Sequence, residues 1–262
     1  MSTATVETID TARPGVPLGR LVRVELRKMF DTRSGFWLMA SIGIIATLAT
    51  IGVILFVPDG GLGYGAFGAA VGFPMAILLP IVAILSVTGE WSQRTGLISF
   101  TLVPQRGLVI WSKAIASIIV GVVSMLLAFA IGAVGNVIGS AINGVGVNWD
   151  MKLSDMVLIL LANVLGLLIG FMLGTLIRNS AGAIVAYFVY SFVLPTIFGL
   201  LAAFQDWFKD LRPWIDFNFA QAKLFEAPVS GEEWANLAVS GIVWMVIPMT
   251  VGVWAVLRTE VK

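Results

Sequence analysis

Residues 88–113, TGEWSQRTGLISFTLVPQRGLVIWSK, form a polar segment between two long apolar runs, and this alternation decides the fold. The segment contains Glu90, Arg94, Arg106 and Lys113, although only 12% of the whole chain is charged. Charged side chains are costly in hydrocarbon, so the segment must lie outside any membrane that the flanking runs enter. We therefore expect a loop that joins two membrane spans.

The composition supports a helical membrane protein. Of the 262 residues, 58% are hydrophobic, and the mean hydropathy is +0.97. Soluble domains carry about 25% charged residues, roughly twice the share found here. The net charge of +1 indicates no nucleic-acid partner, and the lack of cysteine and histidine removes the commonest metal ligands. The composition thus predicts an all-α integral membrane protein without a metal site.

Six runs without a charged residue follow the N-terminal region, and each reaches the roughly 20 residues that a membrane-spanning helix needs. The third run has 36 residues, too few for two spans and a turn, so its helix should end near residues 139–142. The second run opens with GGLGYGAFG, which indicates a loop or a broken helix. The runs are Phe36–Val57, Gly60–Gly89, Ala114–Trp149, Met156–Ile177, Asn179–Gln205 and Trp234–Leu257. We therefore predict six transmembrane helices within residues 36–257.

The distribution of basic residues predicts the orientation. With the N-terminus inside, twelve of the sixteen Lys and Arg residues lie on the cytoplasmic side, and both cytoplasmic loops carry some of them. The positive-inside rule therefore predicts a multi-pass protein of the cell membrane with both termini in the cytoplasm. The outer side keeps only Lys152, Lys209, Arg212 and Lys223.

The regions that flank the spans have their own patterns. Residues 1–17 are rich in Ser, Thr, Pro and Gly and are expected to be a disordered tail, and residues 258–262 are expected to be a cytoplasmic tail. Residues 18–35 place apolar side chains on one helical stripe, which predicts an amphipathic helix in the membrane interface. The basic side chains mostly off this stripe are Arg20, Arg23, Arg27 and Lys28.

Residues 204–233 mix aromatic rings with charges, a composition typical of the headgroup layer. The spacing of Trp207, Phe208 and Trp214 predicts one or two short outer helices between spans five and six, with Pro213 breaking the run. These helices are either passive belt elements or an outer lid over a translocation path.

Small and polar residues inside the spans each have two interpretations. A face of Gly166, Gly170 and Gly174 allows close helix packing, either within the chain or at a dimer seam.

Prolines should kink or interrupt the spans, and such kinks either only shape the helices or form part of a gate. The prolines are Pro74, Pro80, Pro195 and Pro248.

Polar side chains inside the spans are either interhelical hydrogen-bonding groups or ligands along a substrate path. These polar residues are Asn136, Asn163, Tyr187 and Tyr190.

The chain lacks groups that would power transport or catalysis. It contains no Gly-Lys dipeptide and therefore no P-loop. No charged residue lies in the middle of a span, where coupled carriers generally place one. No pair of acidic residues shares a helical face at membrane depth, so a catalytic site is hard to build. We expect no enzyme activity from this chain alone and no cofactor bound to it.

The polar loop resembles the first cytoplasmic loop of the permease subunits of ABC-2 type exporters. In that family an E-x-x-x-x-(S/T)-G-x-(L/I) element precedes a proline, an arginine and then a lysine at the third span. The matching residues are Glu90, Arg94, Thr95, Gly96, Pro104, Arg106 and Lys113. Leu97 replaces the usual second threonine. The basic N-terminal helix, the six spans and the outer helices extend the resemblance over the whole chain.

The resemblance implies that the loop forms a coupling helix on a separate ATPase. Two ATPase subunits, which bind ATP and Mg²⁺, would act with this chain and a second permease copy or paralogue. The residues implied in coupling are Glu90, Trp91, Arg94, Thr95, Gly96, Leu97 and Phe100. The implied cargo is hydrophobic or amphipathic, such as a drug, an antibiotic or a lipid-like molecule. The N-terminal helix would touch the ATPase instead of serving only as an anchor.

Two alternatives remain open on sequence alone. The chain could be a self-sufficient secondary carrier or channel, or it could be a membrane anchor or assembly factor without transport. In the second case the charges of the loop would only hold it at the headgroups.

Overall fold

The computed structural model describes residues 16–92, 106–226 and 228–258, and all regular secondary structure within these ranges is helical. The α-helices are α1 (Leu18–Asp31), α2 (Arg33–Phe56), α3 (Tyr64–Ser92), α4 (Arg106–Ile142), α5 (Leu153–Ile177), α6 (Ser180–Phe188), α7 (Leu194–Phe204), α8 (Asp206–Ile215), α9 (Phe217–Ala222), α10 (Gly231–Gly241) and α11 (Ile247–Arg258). Two π-helical turns join α6 to α7 and α10 to α11. These turns are Val189–Val193 and Ile242–Val246. The predicted all-α fold is confirmed.

Within the described ranges, six helical segments are long and apolar enough to cross a membrane, as predicted. They are Gly35–Phe56, Tyr64–Gly89, Gly107–Ile142, Leu153–Ile177, Ser180–Phe204 and Gly231–Arg258. The third ends at Ile142, within its predicted limit. A tight turn separates the fourth from the fifth, where Arg178 is left-handed (φ 56°) and Asn179 caps α6 by accepting the N–H of Gly182. The chain is therefore built as a multi-pass helical bundle.

α3, α4 and α5 form the centre of the bundle. Half of the residues in the second, third and fourth spans are buried, whereas the first, fifth and sixth are only 22%, 11% and 22% buried. Met75, Leu79 and Phe171 are among the fully enclosed side chains of this centre. The outer spans present apolar side chains outward, where a bilayer would be a compatible solvent.

The glycine face of α5 packs against α3 inside the chain. A Cβ atom on Gly170 would lie 2.5 Å from the carbonyl oxygen of Pro80, and one on Gly174 would lie 3.3 Å from that of Ile84. No side chain could be added at position 170 without moving the backbone of α3. Of the two interpretations of this face, the structure therefore supports packing within the chain.

At one end of the bundle, the segment after α4 folds over the start of α3. The N–H of Gly65 donates to Asp150 Oδ1 (2.7 Å), and Asn136 donates through Nδ2 to the carbonyl oxygen of Asn148 (2.9 Å). An acidic group is favoured at a helix N-terminus because unpaired N–H groups point toward it. A Cβ atom on Gly63 would lie 2.5 Å from Oδ2 of Asp150, so this close approach requires glycine.

Two boundaries differ from the predicted ones. α1 ends at Asp31 rather than at residue 35, because the Thr32 side chain accepts the N–H of Gly35 and starts a new helix. Arg33 therefore begins the helix that contains the first span. The stretch GGLGYGAFG is loop and a short 3₁₀ turn at first, and it becomes helix at Tyr64.

The prolines affect their helices differently. Pro74 and Pro80 lie inside the continuous α3 and do not interrupt it. Pro213 lies inside α8, so the prediction that it breaks that helix is wrong. Pro195 and Pro248 each lie two residues after a π-helical turn. In an α-helix the proline ring clashes with the carbonyl four residues earlier, and the wider π turn accommodates it. The α-helix is interrupted at these two positions, as predicted.

Candidate functional site

A group of polar side chains joins the helices that flank residues 93–105 in the chain. We call this group the polar seam. Its members are Glu25, Lys28, Ser86, Thr88, Lys113, Ser117 and Ser180. They come from α1, α3, α4 and α6, and those of α3 and α4 lie near the end of α3 and in the first half of α4.

The centre of the polar seam is an ion pair between α1 and α4. Lys113 Nζ lies 2.6 Å from Glu25 Oε2, and the two side chains are only 4% and 8% exposed. Lys113 also donates to the carbonyl oxygen of Ser86 (3.3 Å), and Lys28 donates to Glu25 Oε1 (2.8 Å). Buried charges require such partners to offset the loss of water. The ion pair therefore fixes the amphipathic helix against the helix that follows the loop.

Two hydroxyl contacts extend the polar seam across α3. Ser86 Oγ lies 3.0 Å from Ser117 Oγ on α4, and Thr88 Oγ1 lies 2.8 Å from Ser180 Oγ at the start of α6. Hydrogen bonds between helices replace lost hydration within a membrane. Together with the ion pair, these contacts connect four helices at this end of the bundle.

The predicted coupling residues are described only in part. Glu90 and Trp91 belong to the last turn of α3, and Trp91 packs against the apolar core. The side chain of Glu90 lies outside the described part of the chain. Also outside it are Arg94, Thr95, Gly96, Leu97 and Phe100. The coupling roles of these residues stay predictions.

The basic side chains of α1 behave as expected for an amphipathic helix. Arg20, Arg23, Arg27 and Lys28 are all exposed. Arg27 pairs with Asp31 at 3.3 Å on this exposed face.

Glu25 is the functional candidate that the sequence reasoning missed. It is the buried residue of α1, and it lies on the apolar stripe, seven residues after Leu18 and four after Leu21. A carboxylate in the middle of an apolar stripe is the signal that could have found it, because such a group needs a buried cation as partner.

Tyr187, predicted along a substrate path, has a structural contact. Its hydroxyl donates to the carbonyl oxygen of Ala76 at 2.6 Å. Pro80 lies four residues after Ala76 and has no N–H, so this carbonyl lacks its usual helical donor. The tyrosine from α6 supplies the missing donor, which explains how a proline is tolerated inside α3.

Tyr187→Phe is expected to lower the free energy of unfolding by about 1–2 kcal/mol, the worth of one buried hydrogen bond. Thermal unfolding of the detergent-purified protein measures the loss. With Pro80→Ala in the background the loss should shrink, because a new backbone N–H at position 80 can serve Ala76. An equal loss in both backgrounds would argue against this pairing.

The other predicted path residues are also buried. Asn163 donates to the carbonyl oxygen of Ile159 in its own helix (2.9 Å). Within the described part of the chain, Tyr190 Oη and the carboxamide oxygens of Asn136 and Asn163 have no hydrogen-bond partner. The structure does not bring all four together. Tyr187 and Tyr190 share one apolar cluster, whereas Asn136 contacts the segment after α4. Their role as substrate ligands stays a prediction.

The two π-helical turns lie side by side and hold the short helices α8 and α9. The ring centroids of Tyr190 and Trp244 are 5.7 Å apart. Asn218 on α9 donates to the carbonyl oxygen of Tyr190 (3.1 Å). The indole N–H of Trp244 donates to the carbonyl oxygen of Ile215 at the end of α8 (2.6 Å). Groups of the two π-helical turns thus hold α8 and α9 on the bundle.

The residues predicted as an outer lid are divided between surface and core. Trp207 is 62% exposed, Trp214 is half-buried, and Phe208 is buried with its ring 5.6 Å from that of Phe198. Phe208 therefore anchors α8, while Trp207 is available for lipid or a partner. Their action as a lid stays a prediction.

No protein-family model matches this sequence, and no curated protein shows significant similarity to it. The function must therefore be inferred from the loop motif and from the geometry of the bundle.

Proposed function

We propose that this chain is the permease subunit of an ATP-driven exporter of the ABC-2 type. Separate ATPase subunits supply the energy, and a second permease, identical or related, completes the complex. The cargo is a hydrophobic or amphipathic compound, such as a drug, an antibiotic or a lipid-like molecule, that leaves the cell. The loop motif around Glu90 and Arg94, the absence of a P-loop and the six-span bundle support this proposal.

The polar seam is the observation that carries the proposal. The Glu25–Lys113 ion pair joins α1 to α4, and Ser86 and Thr88 join α3 to α4 and α6. Packed helices shift as units rather than deform continuously. A push by an ATPase on residues 93–105 would therefore move these helices together.

The exposed apolar surface fits a membrane complex of two permeases. The first, fifth and sixth spans are the least buried within the chain. Their outward faces are available both to lipid and to the second permease. The excess of basic residues around the loop and both termini supports an orientation with this end in the cytoplasm.

Glu90→Ala and Arg94→Ala are expected to lower export per ATP hydrolysed by about tenfold or more. Truncation of one partner in a charged contact across an interface costs about 2–5 kcal/mol. The test copurifies the untagged partners, identifies them by mass spectrometry, and measures ATP hydrolysis and cargo flux in vesicles. Lys209→Ala, an exposed position on α8, is the matched control and should keep coupling intact.

Each alternative function has its own outcome in this test. A preparation without an ATPase that still moves cargo would favour a secondary carrier or channel. A preparation with neither ATPase nor transport would favour an anchor or assembly factor. Equal coupling in Arg94→Ala and Lys209→Ala would contradict the role of the loop.

A further inference from the structure

The apolar stripe of α1 is already used for packing within the chain. Leu26 and Met29 pack against the main apolar core, and Glu25 on the same stripe is paired with Lys113. A free amphipathic helix would insert such a stripe into the boundary between headgroups and acyl chains. In this chain the stripe faces the bundle, so the opposite face of α1 is the one that meets the surroundings.

The opposite face of α1 carries a row of arginines. Arg20, Arg23 and Arg27 follow one another at intervals of three and four residues, which places them on one side of the helix, and all three are exposed. Arg27 pairs with the exposed Asp31 at 3.3 Å, whereas the described residues offer Arg20 and Arg23 no ion pair. Three guanidinium groups and one carboxylate therefore leave this arginine face with an excess of positive charge.

Exposed apolar side chains accompany the arginine face. Val24 and Phe30 are both exposed on α1. Only Thr32 separates α1 from α2, and α2 exposes Phe36 and Trp37 within its first two turns, with Trp37 66% exposed. Further exposed apolar side chains continue along the first span. The arginines thus lie near the beginning of a lipid-facing apolar surface, and a phospholipid combines the two complementary parts, a phosphate and acyl chains.

We propose that the arginine face of α1 binds an anionic phospholipid of the leaflet at this end of the bundle. Arginine donates two parallel hydrogen bonds to phosphate oxygens and is more weakly hydrated than lysine, so it suits a phosphodiester headgroup. Phe30 and Trp37 contact the lipid below its phosphate, at the depth where aromatic side chains are enriched. The Glu25–Lys113 ion pair fixes α1 so that the arginines point away from the bundle. The site does not depend on an ATPase partner or on a cargo.

Competition binding in mixed micelles tests the site on the detergent-purified full chain, with a fluorescent phosphatidylglycerol as the probe. Unlabelled phosphatidylglycerol is expected to compete at least about tenfold better than phosphatidylcholine, because each basic residue near an anionic surface contributes about fivefold to binding. Added salt should reduce this preference, since exposed charges are screened. The double variant Arg20→Gln with Arg23→Gln should lose at least about tenfold in affinity for phosphatidylglycerol.

A matched double variant removes the same amount of charge elsewhere. Lys152 and Lys209 are exposed basic residues at the other end of the bundle, and Lys152→Gln with Lys209→Gln should leave phosphatidylglycerol binding unchanged. All four substituted side chains are exposed, so both double variants should fold, and thermal unfolding checks this.

Three outcomes would overturn the proposal. Phosphatidylcholine could compete as well as phosphatidylglycerol, or the two double variants could lose equal affinity. In the third outcome, Arg20→Gln with Arg23→Gln keeps its lipid affinity but no longer copurifies with a protein that the unchanged chain retains. That result would make the arginine face a protein contact instead of a lipid site.

Discussion

Glu25→Ala and Lys113→Ala are each expected to lower the free energy of unfolding by about 3–5 kcal/mol. The two side chains form a 2.6 Å ion pair and are 8% and 4% exposed, so removal of one charge leaves the other buried. Loss of this ion pair should also weaken the packing of α1 against the second turn of α4. Thermal unfolding in detergent and the yield of monodisperse protein measure the effect.

The exposed ion pair of α1 provides a matched control. Arg27 and Asp31 lie on the same helix, but their side chains are 80% and 66% exposed. Arg27→Ala should therefore change stability by less than about 1 kcal/mol. The double variant Glu25→Leu with Lys113→Met should be more stable than either single alanine variant, because it leaves neither charge of the pair behind. If the double variant Glu25→Ala with Lys113→Ala lost as much stability as the two single variants together, the two side chains would act independently.

Gly170→Leu is expected to prevent α3 from packing on α5 and to abolish the stable fold. Even Gly170→Ala should cost at least about 1–3 kcal/mol, the usual cost of overpacking a close contact. The nearest atoms to an added Cβ are the carbonyl oxygen and Cα of Pro80, at 2.5 and 2.7 Å. These are backbone atoms, which cannot rotate away. Unfolding temperature and membrane insertion are the measurements.

Two other glycines distinguish this effect from a general sensitivity of helices to substitution. Gly52 in α2 has no atom within 4 Å of an added Cβ, so Gly52→Ala should be neutral or slightly stabilising, because alanine favours helix. Gly166→Ala should cost less than Gly170→Ala, since the nearest atom is the side-chain amide nitrogen of Gln221 at 3.3 Å rather than a backbone atom. If Gly170→Ala were as stable as Gly52→Ala, the close contact with α3 could not be essential.

The spans and most of their ends follow directly from the sequence. Length and hydropathy belong to each segment separately, so charge-free runs predict membrane-competent helices without knowledge of their neighbours. The glycine face of α5 could also be predicted, because the spacing of its glycines is evident in the sequence. The helix that packs against this face could not be predicted, since Pro80 lies 90 residues before Gly170 and no local pattern connects them.

The prolines show where local rules fail. Pro213 was predicted to break its helix, but it lies inside α8. Pro80 is tolerated because Tyr187 from another helix donates to the freed carbonyl of Ala76. Pro195 and Pro248 instead each follow a π-helical turn, which accommodates the proline ring. The residue type is the same at each position, so the outcome depends on the groups that surround it.

The amino-acid sequence alone determines that this chain is an all-α protein with six apolar helices, an amphipathic N-terminal helix and a polar segment between the second and third apolar runs. Only the tertiary structure decides which polar groups meet. Glu25 and Lys113 are 88 residues apart and become partners through the packing of α1 on α4. The physical reason is that hydropathy is a property of one segment, whereas compensation of a buried charge or acceptor depends on distances between segments.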